Sequence, residues 1–227
     1  MTALFVTATG TDIGKTFVTA GLACRLRREG RAVAAIKPVV TGYVPASAAA
    51  SDPGRLLAAL GRPVNEQEVA RISPWRYAAP LSPDLAAGRE GRALDFAELV
   101  AFCRQAVSAR TGVLLIEGVG GIMVPLDARR TVLDWMGALG LPLVLVAGSY
   151  LGTISHTLSA VDVLERRELT IAAVVVSESA GSPVPLDDTV ASIARFVPQA
   201  PVLGLPRLAP GTREHAVLGR LADIMQT

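Results

Sequence analysis

Apolar residues along this chain fall in short continuous runs rather than in strict alternation with polar ones. The runs at 3–7, 33–37, 113–117, 142–147, 171–176 and, shorter, 201–204 read as strands buried on both faces of a parallel sheet. Segments with helical spacing lie between and beyond them, at 15–29, 52–60, 95–109, 131–139, 153–166, 187–196 and 213–225. The first of these closes on Glu29-Gly30, a helix C-terminal signal. Such alternation predicts an α/β fold, doubly wound, with a mostly parallel sheet flanked by helices and ligands at the carboxyl ends of the strands. The Ala/Ser/Pro-rich stretch 44–51 and the Gly/Arg stretch 88–92 read as surface loops. With no internal repeat and no long linker, residues 1–227 read as one domain.

Composition narrows the function classes. Half of the residues are apolar, 51%, yet no apolar run approaches the ~20 residues of a membrane span. The N-terminus reads directly as a strand, Ala3–Thr7, without the charged and apolar regions of a leader. Cys24 and Cys103 sit in apolar, helix-like segments and read as thiols of a reducing compartment rather than as a disulfide or metal pair. A net charge of +2, dispersed along the chain, excludes a basic nucleic-acid surface. A cytoplasmic protein is expected. Only Lys15 and Lys37 among the 22 basic residues are lysines. Where arginine has taken every generic positive charge, those two mark places that need a compact ammonium.

One of the two lies in "ATGTDIGKT", residues 8–16. The stretch ends like a Walker A motif, but counting back from Gly14 puts Thr9 where that motif has its first glycine. Strand, loop and helix follow in the right order, with Lys15-Thr16 opening the helix. Backbone N–H groups and the helix N-terminus would then surround phosphate oxygens, Lys15 would reach the β- and γ-phosphates, and the Thr16 hydroxyl would ligate Mg²⁺. The dinucleotide fingerprint G-x-G-x-x-G cannot be laid on Gly10 and Gly14. Four apolar residues deliver Glu117 at the end of the strand 113–117, the layout of a Walker B acid, and the glycines after it allow close backbone approach. Asp52, before Pro53, is either a second metal ligand or a helix N-cap. Lys37, in "IKPVVTG", stands at the same rim as the phosphate loop, and Pro38 keeps its segment extended.

Taken together, "TGTDIGKT", "KPVVTG", "SD" before a helix, "IEGVGG", "SYLGTISH" and "LGLP" resemble the dethiobiotin synthetase family in order and spacing, over nearly the whole chain and least around 61–72 and 179–190. That family's phosphate loop is one residue longer, so its first glycine falls at position 8, where this chain has Ala8. The resemblance implies a P-loop NTPase-type fold. It implies a homodimer that joins CO2 to 7,8-diaminononanoate at the expense of ATP, with Mg²⁺ as cofactor, to form the ureido ring of dethiobiotin. Implied nucleotide contacts are Asp12, Ile13, Gly14, Lys15, Thr16, Phe17, Asp52, Glu117, Gly118, Val119, Gly120, Ser177, Glu178, Pro206, Arg207 and Leu208. Implied substrate contacts are Thr11, Lys37, Thr41 and, from the partner subunit's loop, Leu151, Gly152 and Ser155, the last standing where the family pattern leads one to expect Asn. Thr16, Asp52 and Glu117 are the implied metal ligands, and Lys15 and Lys37 the implied catalytic cations.

Two related classes fit less well. A cobyrinate-type amide synthase needs a glutaminase domain, for which 227 residues leave no room. A partitioning ATPase carries a signature lysine where this chain has Gly10. Many members of the resembled family read adenine with an Asn at the end of the strand 171–176. Ser177 stands there instead, so relaxed base selectivity is expected, with Glu178 and the backbone of Leu205–Leu208 left to contact the base.

Overall fold

The structure is a computed structural model and describes residues 3–209, 212 and 214–225. Its centre is a six-stranded sheet of β1 (Ala3–Ala8), β2 (Val33–Ile36), β5 (Val113–Glu117), β6 (Leu143–Ala147), β7 (Ile171–Ser177) and β8 (Val202–Leu205), in the order β2-β5-β1-β6-β7-β8. Every neighbouring pair is parallel. These are the six expected runs. Strands β1, β5 and β6 are buried along their whole length, which accounts for their unbroken apolar character.

Helices flank the sheet. Helix α1 (Lys15–Arg28) packs on α2 (Asp52–Ala59) and α9 (Ala216–Ile224), α5 (Phe96–Ala109) on α6 (Val132–Leu139), and α7 (Thr153–Arg166) on α8 (Leu186–Ala194). The last helix was expected from residue 213, which lies outside the described residues. Its described part begins after His215, whose ring nitrogen accepts from the Val217 amide at 3.3 Å. Phe5 meets the fully buried Trp135 edge to face, with ring centroids 4.9 Å apart.

The region between β2 and α5 differs from expectation. Strands β3 (Val39–Thr41) and β4 (Trp75–Tyr77) pair in parallel as a small second sheet, and α3 (Glu66–Ile72) and α4 (Pro83–Arg89) stand beside it. Two stretches read as surface loops are partly helical. Residues Pro45–Ala50 form a 3-10 helix, and α4 takes in the first residues of the Gly/Arg stretch. A proline presets the first helical turn in each case, and α4 has a buried seam at Ala86 and Ala87. The 3-10 helix also fixes where α2 begins, because a Cβ on Gly54 would lie 2.0 Å from the Ala48 carbonyl oxygen. Only glycine allows that approach.

Candidate active site

Register alone brings the principal side chains together. In β5, Glu117 pairs with Val6 of β1, while Ile116 pairs with Ile36 of β2. Lys37, the residue after β2, therefore lands beside Glu117, and both face the loop that leaves β1. The sheet order turns around β1, with β5 on one side and β6 on the other, and the crevice at the carboxyl ends lies at that switch point.

The loop itself is built by local chemistry. Ala8 belongs to β1, opposite Val146, with no positive φ, so its methyl is accommodated as a strand side chain. Asp12 takes the left-handed conformation, φ 56°, and Gly14 has φ 103°. A side chain costs roughly 1–2 kcal/mol in that region, with Asp among the better tolerated. Position 14 is closed to one, since a Cβ there would sit 2.8 Å from the Ser177 hydroxyl. Gly14 precedes α1 with no side-chain cap, leaving that helix end to its own backbone N–H groups.

A cleft of about 580 Å³ opens over this loop. It is lined by Thr11, Asp12, Gly14, Lys15, Thr16, Phe17, Lys37, Thr41, Asp52, Val119 and Gly120, all expected, and by Arg55, Pro80, Leu81, Ser82, Pro83 and Val124, which were not. Arg55 had a signal, since it stands one helical turn after Asp52 on the same face of α2. The 80–83 segment reaches the cleft through β4 and α4, which the sequence pattern does not announce. Ile13 turns inward against Gly10, and the Gly118 carbonyl accepts from Lys37 at 3.1 Å.

Below the cleft lies a compact ionic knot. Glu117 is fully buried, and its Oε1 accepts from the Thr16 hydroxyl at 2.6 Å and from Lys37 Nζ at 2.7 Å. Lys37 Nζ also lies 3.0 Å from Asp52 Oδ2. Burial works against its charge, but Glu117 and then Asp52 outweigh it and raise the Lys37 pKa above the usual lysine value. For Asp52 burial works against the charge too, and Lys37 outweighs it, holding the carboxyl below the usual aspartate value. The N-cap of α2 is Ser51, whose hydroxyl accepts from the Gly54 amide at 3.3 Å. Asp52 is thus the first helical residue, not the cap, and its carboxylate is turned to the knot.

The donors here are hard oxygens, namely two carboxylates and a hydroxyl, and Glu117 Oε2 is buried with no hydrogen-bond partner among the described residues. No group of three or more His, Cys, Asp or Glu side chains converges among them. Such a set fits Mg²⁺, which takes one or two carboxylates together with substrate phosphates rather than an all-protein cage.

Lys15 points across the loop, donating to the carbonyls of Gly10 at 3.0 Å and Gly120 at 2.7 Å. Burial, and secondarily Lys37, lowers its pKa to about 8. Below pH 8 Lys15 is charged and meets phosphate without proton exchange. Between pH 8 and the ordinary lysine value of 10.5, an incoming phosphate must first restore the proton. Nucleotide binding at pH 9 is therefore expected to take up close to one proton, and its affinity to fall as pH rises past 8. Calorimetry in buffers of different ionisation enthalpy checks this, and no uptake at pH 9 would contradict it.

The remaining expected residues lie elsewhere. Ser177 ends β7 behind Gly14, and Glu178 Oε2 accepts from the Arg207 amide at 2.8 Å, tying it to the segment holding Pro206 and Leu208. Leu151, Gly152 and Ser155 are not among the residues lining the cleft. Cys24 and Cys103 are both free thiols, Cys103 buried and pushed up to about 12 by that burial. Among the described residues no helix is long and apolar enough to cross a membrane.

A parallel sheet with a glycine-turned phosphate loop after its central strand, and an acid at the end of the adjoining one, defines a P-loop nucleotide-binding protein. The particular family follows from its relatives. A family model described as an AAA domain matches residues 2–214. The ATP-dependent dethiobiotin synthetase BioD of Acidiphilium cryptum is 50% identical over 202 residues, 88% of this chain and 91% of that one. Its counterpart from Methylobacterium nodulans is 52% identical over 200 residues, 86% and 89% of the two chains. The chain belongs to the ATP-dependent dethiobiotin synthetase family. Among solved structures, a ParA family ATPase from Chlorobium tepidum (TM-score 0.55, 14% identical, 97% of each chain) shares the fold. So does the cell division ATPase MinD of Pyrococcus furiosus (TM-score 0.53, 17% identical, 100% of this chain and 99% of that one). Likeness at that identity is one of fold alone.

Proposed function

We propose that this chain, as one domain acting in a homodimer of the cytoplasm, makes dethiobiotin from 7,8-diaminononanoate, CO2 and ATP. The observation that carries the reading is that both lysines of a chain otherwise basic through arginine line the one cleft over the phosphate loop. One amine of the diamine captures CO2 as a carbamate and releases a proton. A carbamate oxygen attacks the γ-phosphorus, ADP leaves, and a carbamic–phosphoric anhydride results. The second amine then attacks the carbamate carbon, inorganic phosphate departs with the original carbamate oxygen, and the ureido ring closes. Carbamate and γ-phosphate are both anions, so their approach needs nearby cations. Lys15 and Lys37, both buried at the floor of the cleft, supply positive charge, and Arg55 adds a guanidinium at the cleft wall. Thr16, Asp52 and Glu117 would hold Mg²⁺, which when bound offsets the charge of the β- and γ-phosphates.

ADP release is the direct test. It should depend on both diamine and bicarbonate, and equal hydrolysis without either would instead favour a switch of the partitioning ATPase kind. The segment at Leu151, Gly152 and Ser155 is assigned to the partner's substrate site. Leu151 is 80% exposed, and Gly152 opens α7 without a side-chain cap, the kind of helix end that suits a carboxylate. Light scattering at micromolar concentration should give two subunits, whereas a fully active monomer would contradict the shared site.

Base selectivity should be loose. Asn65, the only Asn of the chain, caps α3 by accepting from the Glu68 amide at 2.9 Å. One Glu178 oxygen is already taken by the Arg207 amide. Neither Ser177 nor Glu178 offers the donor and acceptor side by side that read two edge positions of a base together. ATP should therefore be preferred over the best other nucleotide by less than ~100-fold, since larger discrimination requires paired polar contacts. Rates with ATP, CTP, GTP and UTP at equal Mg²⁺ check this directly.

A further inference from the structure

Lys37 is held as a metal ion would be held. Its Nζ has three protons to give and three acceptors around it: Glu117 Oε1 at 2.7 Å, Asp52 Oδ2 at 3.0 Å and the Gly118 carbonyl at 3.1 Å. The Thr16 hydroxyl shares the same Glu117 oxygen at 2.6 Å. Lys37 is 3% exposed and Glu117 fully buried, so neither charge is left to water. These carboxylates and this hydroxyl are the oxygens assigned above to the metal, and the inference rests on that assignment. With Glu117 Oε1 and Asp52 Oδ2 engaged by the ammonium, a divalent cation would find Glu117 Oε2 unengaged but would meet the like charge of Lys37 beside it.

We propose that Lys37 is the resident cation of this cage and that its ammonium excludes a divalent metal until nucleotide phosphate draws it away. The fold then keeps the buried Glu117 and the half-exposed Asp52 compensated at all times. Lys37 exchanges them for phosphate or carbamate oxygens only when those are present. A free divalent cation should consequently bind the protein poorly without nucleotide, and the obstacle should be Lys37 specifically. Lys15 carries the same charge nearby but donates to backbone carbonyls, so it serves as the control.

The probe is Mn²⁺, titrated against nucleotide-free protein while the free-ion signal is followed by electron paramagnetic resonance. Lys37→Met should bind Mn²⁺ at least ~10-fold more tightly than wild type, one tenfold step in affinity being a modest return for a vacated charge partner. Lys15→Met should gain much less, and adding Glu117→Gln to Lys37→Met should abolish the gain. Should Lys37→Met not fold, Lys37→Gln, which can still donate to one carboxylate, should show a smaller gain of the same sign. No gain on removing Lys37, or an equal gain on removing Lys15, would overturn the proposal. A separate arm isolates the assignment beneath it, namely Mn²⁺ binding in the presence of ADP. If Glu117→Gln leaves that binding unchanged, the carboxylates do not hold the metal and both ideas fall. If Glu117→Gln weakens it while Lys37→Met shows no gain, only the exclusion by Lys37 is wrong.

Discussion

Lys37→Arg is expected to stay folded and to lose at least ~100-fold in turnover, the usual worth of one well-placed electrostatic contact. The site explains why the conservative change is not conservative. Lys37 directs three protons from a single nitrogen towards Glu117, Asp52 and the Gly118 carbonyl. A guanidinium spreads its donors over a rigid plane and cannot gather them at one point. It is also larger, and overfilling a buried position costs about 1–3 kcal/mol, which should lower the melting temperature without abolishing the fold. Steady-state rates beside a thermal melt separate the two effects. Near-normal turnover in the arginine variant would sink both the assigned role and the inference from lysine scarcity.

Glu117→Gln should produce the second large effect, on stability and on metal dependence together. Glu117 anchors Thr16 and Lys37 through one oxygen, and removing one partner of a buried pair typically costs about 3–5 kcal/mol because the other charge is left uncompensated. Asp52 and the Gly118 carbonyl still hold Lys37, so the lower end of that range is expected. The Mg²⁺ concentration for half-maximal rate should rise at least tenfold, and kcat should fall by roughly 10²–10³, as for other lost electrostatic groups. Asp52→Asn is the informative contrast. Asp52 does not cap α2, so this variant should raise the Mg²⁺ requirement with little change in stability. Ser51→Ala should do the reverse, costing about 1 kcal/mol as a lost cap. A purely thermal effect of Asp52→Asn would return Asp52 to a structural role.

How far the sequence discloses this site depends on which residues are carried by pattern. Strands β1, β5 and β6 are wholly buried and so read as unbroken apolar runs. Glu117 ends one such strand and Lys37 follows the neighbouring β2, so parallel register leaves these two little choice of neighbour, while Thr16 is placed by the phosphate-loop motif at the start of α1. Between β2 and α5, α2 reads from the sequence while β3, α3, β4 and α4 do not, for the converse reason. Strands β3 and β4 have three residues each, too short to display a period. Asn65, the cap of α3, is a helix-start signal that the sequence does carry there. With that region came Pro80, Leu81, Ser82 and Pro83, which enter the cleft through tertiary docking alone. The two roles open to Asp52 could be separated only by the Ser51 hydroxyl bond and the Lys37 contact, neither of which spacing can show.

The central claim is a ring closed through a carbamic–phosphoric anhydride, and one labelling measurement tests it most directly. The protein is mixed with 7,8-diaminononanoate, Mg·ATP and ¹⁸O-labelled bicarbonate, and the phosphate formed at early times is weighed by mass spectrometry beside the organic product. The account predicts dethiobiotin together with phosphate carrying one labelled oxygen, because the carbamate oxygen that attacks phosphorus leaves with it. Unlabelled phosphate from a reaction that consumes ATP would contradict it, whether dethiobiotin forms or not.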